Sequence, residues 1–396
     1  MSILETINIK PLVKGKEPKD TTVVVAMSGG VDSSVCTALL HKLGYNVIGI
    51  TLQLWDYTPA SQAAEGEQKK FGTCCALDDV YDARRVCQTM GVPHYVLNYE
   101  SEFKSAVVDD FVETYLAGAT PIPCVRCNQR IKFDSFMDKA KALGADVLVT
   151  GHYIRKDYDE SGKAILRRGL DPKKDQSYFL FTTKQEQLDF SDFPLGQLSK
   201  DETRELAKEL GLHVASKKDS QDICFVPGGD YRKVVRKYAP HAVKGGSFVD
   251  EEGNVLGRHD GILGFTVGQR KGLGGGFTKP MYVVEIRPEA REVVLGPKES
   301  LSKTTFTVKD LDWIDHTISV DGIEVDTQVR YAHSGAPSTL KQLDDGRIEV
   351  TMHAPAYQIS PGQAAVFYDG DRMLGGGWIE VPEASKLKDK VKVQIL

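Results

Sequence analysis

Thr22-Val23-Val24-Val25-Ala26-Met27-Ser28-Gly29-Gly30-Val31-Asp32-Ser33-Ser34 joins an unbroken apolar run to a turn of glycines and hydroxyls. The run reads as a buried parallel strand that stops at Ser28. Beyond the turn, Val35, Leu39 and Leu43 recur every four residues and Gly44 closes the segment, the pattern of a helix packed on a sheet. Adjacent glycines let backbone N–H groups approach an anion, serine hydroxyls add donors, and the helix N-terminus adds a favourable dipole. The turn is therefore expected to cradle a phosphate. It lacks the Gly-Lys-Ser/Thr ending of a Walker loop, which argues against a kinase-like or GTPase-like site. Asp32 is suited to holding magnesium against the phosphates, since that ion takes one or two carboxylates plus phosphate oxygens.

Reading outward, Tyr45–Leu54 is a second apolar strand, and Ala76–Met90 places Val80, Ala83, Val86 and Met90 on one helical face. Pro93–Leu97 and Asp146–Thr150 read as further strands, the latter ending at Gly151-His152. Strands alternating with helices predict an α/β fold with a doubly wound parallel sheet, whose ligands bind beyond the carboxyl ends of the strands. Ser199 and Glu202 form a capping-box signal for a helix through Leu206 and Leu210, stopped by Gly211. Past Cys224, glycine clusters at Gly245-Gly246, Gly274–Gly276 and Gly375–Gly377 separate short alternating runs such as Met281–Ile286 and Arg347–Met352. That spacing suggests small β-rich domains. The expected division is a flexible lead-in at 1–20, a phosphate-binding domain at 21–223, a central β-rich domain at 224–299 and a C-terminal domain at 300–396.

A chain of 396 residues exceeds what one hydrophobic core usually supports, so several domains are expected. With 41% hydrophobic and 27% charged residues, and no long apolar run, the sequence predicts a soluble protein without a membrane span. The opening MSILETINIKPLVKGKEPKD has no secretory apolar stretch, which suggests the cytoplasm. Seven cysteines, an odd number, argue for reduced and partly reactive thiols rather than a disulfide framework. A net charge of −5 gives no global pull toward nucleic acid. RNA contact would rest on local clusters: Arg167-Arg168, Lys173-Lys174, Lys217-Lys218, Arg232-Lys233 and Arg270-Lys271.

Cysteine placement then separates roles. Cys36 and Cys87 fall within helices and read as small core residues, whereas Cys74-Cys75 falls in a loop and is ambiguous. Cys124-Val125-Arg126-Cys127-Asn128 follows Thr120-Pro121-Ile122-Pro123, and Arg126, Arg130 and Lys132 are expected to favour thiolate there. A single Cys-x-x-Cys allows half a zinc site, a redox pair or a sulfur-handling site, and spacing does not choose among them.

The Ser-Gly-Gly-Val-Asp-Ser string resembles the loop of the ATP pyrophosphatases, which cleave ATP between the alpha and beta phosphates. Pro-Cys-Val-Arg-Cys-Asn-Gln-Arg-Ile-Lys-Phe, Thr-Gly-His-Tyr, Lys-Asp-Gln-Ser-Tyr-Phe-Leu and Lys-Asp-Ser-Gln-Asp-Ile-Cys-Phe narrow the likeness. With Gly268–Gly274 and Ser360–Tyr368 they resemble the tRNA-specific 2-thiouridylases almost from end to end. The resemblance implies an adenine nucleotide alpha-hydrolase-like catalytic domain, a central β-rich domain and a C-terminal β-barrel. It also implies ATP with magnesium, a tRNA substrate, and an upstream protein donating persulfide sulfur.

Carried residue by residue, the resemblance implies that Cys127 is the nucleophile and Cys224 the persulfide carrier. ATP binding falls on Ala26, Met27, Ser28, Gly29, Gly30, Val31, Asp32, Ser33, Leu52 and Gly151. RNA contacts fall on His152, Lys174, Asp175, Gln176, Arg330, Tyr331 and Gln363, with Ile122, Pro123 and Cys124 facing the base. The implied product is 2-thiouridine at the wobble position. Many relatives carry Asp where this chain has Cys124, so Cys124, Cys127 and Cys224 form an alternative iron–sulfur ligand set. Two further readings stand beside these: an amide-forming ATP pyrophosphatase that needs neither Cys127 nor Cys224, and a non-catalytic RNA-binding or sulfur-relay protein.

Overall fold

The valine run forms strand β1 (Thr22–Ala26), fully buried at Val23, Val24 and Val25. The computed structural model describes residues 2–7, 9–55, 77–219, 222–240, 244–274, 276–277, 279–314, 318–357 and 359–380. Cys74 and Cys75 lie outside them. The chain divides into two units, one of Met1–Ala106, Cys124–Gly229 and Asp371–Met373, the other of Val107–Pro123, Asp230–Gly370 and Leu374–Leu396.

In the first unit, β1 is followed by helix α1 (Val31–Lys42), β2 (Asn46–Gln53), α2 (Leu77–Met90), β3 (His94–Asn98) and β4 (Val147–Val149). A hairpin, β5 (Ile154–Tyr158) and β6 (Ala164–Arg168), precedes β7 (Ser191–Asp192) and α3 (Lys200–Glu209). The sheet runs β3-β2-β1-β4-β7 with every pair parallel. Strand order reverses between β1 and β4, so the loops leaving their carboxyl ends part there and open a crevice. Val35, Leu39 and Leu40 of α1 are fully buried against this sheet.

Three local expectations change. Leu43 is 41% exposed because it lies at the helix C-cap, off the buried face. On α2 the side chain driven inward beside Ala83 and Val86 is Asp79, which has an ionic partner described below. The lead-in is packed rather than flexible: Leu12 is buried in the core, with Ile3, Leu4, Ile7, Ile9 and Val13 against it. Glu209 at the end of α3 holds its start, accepting from Ser2 Oγ at 2.8 Å and from the Ile3 and Leu4 N–H groups. Apolar residues scattered through a polar segment concealed that face.

The second unit is β-rich, as the glycine spacing suggests. β8 (Gly246–Val249), β9 (Val255–His259), β10 (Tyr282–Arg287) and β11 (Glu292–Gly296) make a sheet ordered β10-β11-β8-β9. After it come β12 (Ser302–Trp313), β13 (Glu324–Gln328), β14 (Ala336–Gln342), β15 (Ile348–Tyr357), β16 (Ala364–Asp369) and β17 (Arg372–Ile379). Their order is β12-β15-β14-β13-β16-β17, and β17 pairs back to β12, which closes a barrel over Val308, Leu340, Val350 and Phe367. Closure removes the exposed sheet edge that open antiparallel sheets carry. No helix among the described residues is long and apolar enough to cross a membrane.

Candidate active site

Between β1 and α1 the backbone is shaped by two contacts. Gly29 has φ +71°, and a Cβ there would stand 2.1 Å from the Asp79 carbonyl oxygen, so only glycine fits. Lys217 Nζ donates to the Gly29 carbonyl at 2.9 Å and is itself held by Asp79 at 2.6 Å and by Asp82. Burial pulls the Lys217 pKa down, but its bonds to Asp79 and Asp82 outweigh burial and raise it, keeping the ammonium charged. In a trans peptide the carbonyl and the following N–H point opposite ways. With the Gly29 carbonyl turned onto Lys217, the Gly30 N–H faces away from it.

Ser33 Oγ accepts from the Ser28 N–H at 3.1 Å and lies 3.2 Å from Ser28 Oγ, while Ser34 Oγ donates to the Gly30 carbonyl at 2.7 Å. These bonds fold the loop back on α1. Gly30, the N-cap, brings no side-chain cap, so the first N–H groups of α1 keep the anion-binding character of a bare helix start. Gly151 closes the other wall: a Cβ there would meet Asp32 Cβ and Ser33 N at 3.0 Å. Thus the ends of β1 and β4 lie against one another at the switch point, with Leu52 half-buried at the end of β2.

Asp32 does not present a bare carboxylate. Lys200 Nζ binds its two oxygens at 2.7 and 2.9 Å, and Tyr153 donates its hydroxyl at 2.8 Å. Lys200 also reaches Asp219 at 3.0 Å and sits 5.5 Å above the Tyr153 ring. An ammonium therefore occupies the side of Asp32 that was expected to receive magnesium. Among the described residues no three His, Cys, Asp or Glu side chains converge to hold a metal ion. Sequence reasoning missed Lys200, Tyr153 and Asp219. Lys200 follows the N-cap of α3, where an acid is the usual choice, and only its burial beneath the loop marks it.

Cys124 is exposed and Cys127 half-buried, the first on a short helix (Pro123–Arg126) and the second opening a π-helical stretch (Cys127–Ser135). Such widened turns are rare and gather at functional sites. Of the basic neighbours, Arg126 donates to Gln129 at 3.1 Å and Arg130 to the Ala106 carbonyl at 2.9 Å. Asn128, next to Cys127, is buried and donates to the Phe179 carbonyl at 3.1 Å, while its Oδ1 has no donor among the described residues. Cys224 is half-buried in a turn fixed by Phe225, whose ring packs on Phe103 at 5.6 Å and Trp55 at 5.9 Å. Cys36 and Cys87 are fully buried core residues, and burial raises both thiol pKa values, that of Cys87 to about 11.

Residues expected to meet RNA divide by exposure. His152 is buried between the Phe133 and Phe193 rings, with Nδ1 2.7 Å from Thr150 Oγ1 and Nε2 3.5 Å from Lys132 Nζ. Burial, then the Lys132 charge, push its pKa well below the usual imidazole range. Asp175 faces inward, accepting from the Gly169 and Ser177 N–H groups and from Arg168, and Gln176 accepts from the Tyr153 N–H. Lys174 is the half-exposed member of that trio and pairs with Asp219 at 2.6 Å. Other predicted basic clusters are also engaged: Arg167 by Asp157 and Asp371, Arg232 by Asp230.

In the second unit, Ile122 and Pro123 are buried. Gln363 donates to the Thr120 carbonyl at 3.1 Å, just ahead of them. Tyr331 is 42% exposed, and Gln328 donates to the carbonyls of Arg330 and Tyr331, fixing their turn.

Residues 21–228 match the family described as tRNA methyl transferase HUP domain, 232–297 the tRNA methyl transferase PRC-barrel domain, and 303–379 the aminomethyltransferase beta-barrel domain. The tRNA-specific 2-thiouridylase MnmA of Rhodospirillum centenum is 52% identical over 93% of this chain and 94% of its own length. That of Magnetococcus marinus is 49% identical over 90% and 98%, and that of Paracoccus denitrificans 50% identical over 92% and 92%.

Proposed function

The chain belongs to the tRNA-specific 2-thiouridylase family, and we propose from that premise that it replaces the C2 oxygen of a tRNA wobble uridine with sulfur, using ATP. The observation that carries the reading is the phosphate loop held by Lys217, in a unit that also carries Cys127 and Cys224 outside its core. A methyl transfer, which the domain descriptions name, cleaves no phosphate ester and has no use for a phosphate cradle.

The chemistry follows from the leaving group. An oxyanion leaves the base poorly at neutral pH, so the C2 oxygen first attacks the alpha phosphate and pyrophosphate departs. The Gly30 N–H and the start of α1 stabilise the charge on the phosphates. Magnesium enters with the nucleotide as part of the substrate. A persulfide on Cys224, loaded by a sulfur-donor protein, supplies the sulfur. Its outer sulfur attacks C2 and AMP leaves. Cys127 thiolate attacks the inner sulfur, breaking the S–S bond and leaving a Cys127–Cys224 disulfide that an external two-electron reductant resets. In the other order Cys127 attacks first and the released sulfide displaces AMP. Both orders consume one persulfide and one reductant.

For RNA, Lys174 in the first unit and Tyr331 in the second offer accessible groups, whereas the side chains of His152, Asp175 and Gln176 brace the first unit from within and that of Gln363 braces the segment before Ile122 in the second. The barrel at 303–379 is assigned to RNA contact and residues 21–228, which include Cys127 and Cys224, to catalysis, with the reaction placed in the cytoplasm.

The deciding experiment incubates the chain with magnesium-ATP, a persulfide donor and unmodified tRNA, and measures tRNA-dependent pyrophosphate and 2-thiouridine. Cys127→Ser and Cys224→Ser are expected to lose thiolation. Full thiolation by either variant overturns the sulfur route, and pyrophosphate release without tRNA or sulfur, but with an amine acceptor, favours an amide-forming enzyme.

A further inference from the structure

Asp219 is shared by three cations: Lys174 Nζ at 2.6 Å, Arg204 Nη2 at 2.8 Å and Lys200 Nζ at 3.0 Å. Lys200 in turn bridges to Asp32 of the phosphate loop. The four groups Lys174, Asp219, Lys200 and Asp32 form one continuous chain of alternating charge, from a half-exposed lysine to the loop. Lys200 is the middle link, with its side chain 9% exposed against 33% for Lys174. Lys200 is shielded from solvent, whereas the Lys174 end is exposed enough for an anion to reach it.

We propose that this chain couples RNA docking to nucleotide binding, with Lys200 and Asp219 as positioning residues. The inference rests on the assignment of ATP and tRNA above. When an RNA phosphate takes Lys174, Asp219 loses one of its three cations. Its attraction for Lys200 rises, and Lys200 moves its share of bonding from Asp32 toward Asp219. Asp32 then has a carboxylate oxygen relieved of its ammonium partner and free to turn to the magnesium-nucleotide. RNA thus prepares the loop for ATP, and by linkage ATP tightens RNA by the same factor. The arrangement also discourages attack of water on ATP when no tRNA is present. Arg204, held by the Ala215 and Lys217 carbonyls at 3.1 Å, stays fixed and keeps Asp219 in place during the exchange.

The test is equilibrium binding of a magnesium-bound, non-hydrolysable ATP analogue, with and without saturating unmodified tRNA. It is run on the wild-type chain and on Lys174→Met, Lys174→Arg and Asp219→Asn. Wild type is expected to bind the analogue about 5-fold to 10-fold more tightly with tRNA, within the usual range of coupling between sites. Lys174→Met and Asp219→Asn bring the ratio close to one, and Lys174→Arg restores most of it. Lys174 is partly exposed, so its methionine variant reads the coupling without a folding defect. A wild-type ratio of one, or a full ratio in Lys174→Met, overturns the proposal. Failure of the analogue or of tRNA to bind wild type at all strikes the assignment of ATP and tRNA instead.

Discussion

Lys217 Nζ donates to the carbonyl oxygen of Gly29 at 2.9 Å, and this bond turns one peptide of the phosphate loop so that its N–H faces away from the lysine. The lysine was legible only as part of a basic pair suited to RNA. Its partners Asp79 and Asp82 lie on α2, far away in sequence.

Lys217→Met is therefore expected to raise the KM for ATP about 10-fold to 100-fold, the cost of one or two lost charge-assisted bonds that orient a binding group. kcat is expected to change less, and tRNA affinity least. Lys217→Arg retains part of the effect because a guanidinium can still reach Asp79 and Asp82. Steady-state kinetics with ATP varied at saturating tRNA measures the split; an unchanged KM removes Lys217 from the loop's support.

Thiol labelling separates the cysteines. At pH 8 a thiol with a pKa of about 11 is about one part in a thousand thiolate, so Cys87 is expected to react very slowly with iodoacetamide, and buried Cys36 as slowly. Cys124, which is exposed, should label first, and half-buried Cys127 and Cys224 ahead of both core thiols. Mass spectrometry of a native labelling time course reads the order. Labelling of Cys36 or Cys87 at the rate of Cys124 would mean the first unit opens far more readily than its packing allows.

The sheet and its loop were legible because one string carries both a fully buried strand and a glycine turn, each with its own physical pattern. The pairing of carboxylates and lysines was not. Asp32 reads alone as a metal ligand, and only the folded chain brings Lys200 onto it from 168 residues away. Likewise Asp175 and Gln176 stand in a motif that suggests contact with substrate, yet their side chains close hydrogen bonds to the Gly169, Ser177 and Tyr153 backbone. Sequence shows which polar residues matter in a loop, but not whether each faces the ligand or the loop itself.

His152 supplies a pH prediction. Its folded pKa is depressed, so below about pH 6.5 the unfolded chain binds a proton that the folded chain refuses. Full stability is present above that pH and is lost on acidification, by up to about 1.4 kcal/mol per pH unit for this one group. His152→Gln cannot take up that proton and should flatten the slope between pH 6.5 and 5. Urea midpoints for both chains across that range, compared as a difference, isolate the histidine from the other titrating groups. Parallel profiles would show that His152 is protonated in the folded chain after all.

Gln363 tests whether a residue expected to touch RNA instead shapes the wall beside it. Its amide donates to the Thr120 carbonyl at 3.1 Å, the Thr120 N–H donates to the Pro361 carbonyl at 2.8 Å, and Gly362 between them has φ +82°. A Cβ on Gly362 would meet Ala119 Cβ at 2.9 Å, so the turn and the segment before Ile122 and Pro123 are built as one piece. Gln363→Ala is expected to cost about 1 kcal/mol of stability, the net worth of one hydrogen bond. The freed segment should lower kcat for thiolation several-fold while leaving the KM for ATP unchanged, because the phosphate loop is not part of it. Direct contact with RNA predicts a different result: weaker tRNA binding and a smaller salt dependence at unchanged kcat. Filter binding of tRNA at two salt concentrations, together with kcat at saturating tRNA, tells the two roles apart. Gly362→Ala sharpens the comparison, since it strains the same turn without removing the amide. It should reproduce the loss of kcat if the turn's shape is what matters, and leave kcat intact if the Gln363 amide acts on RNA by itself.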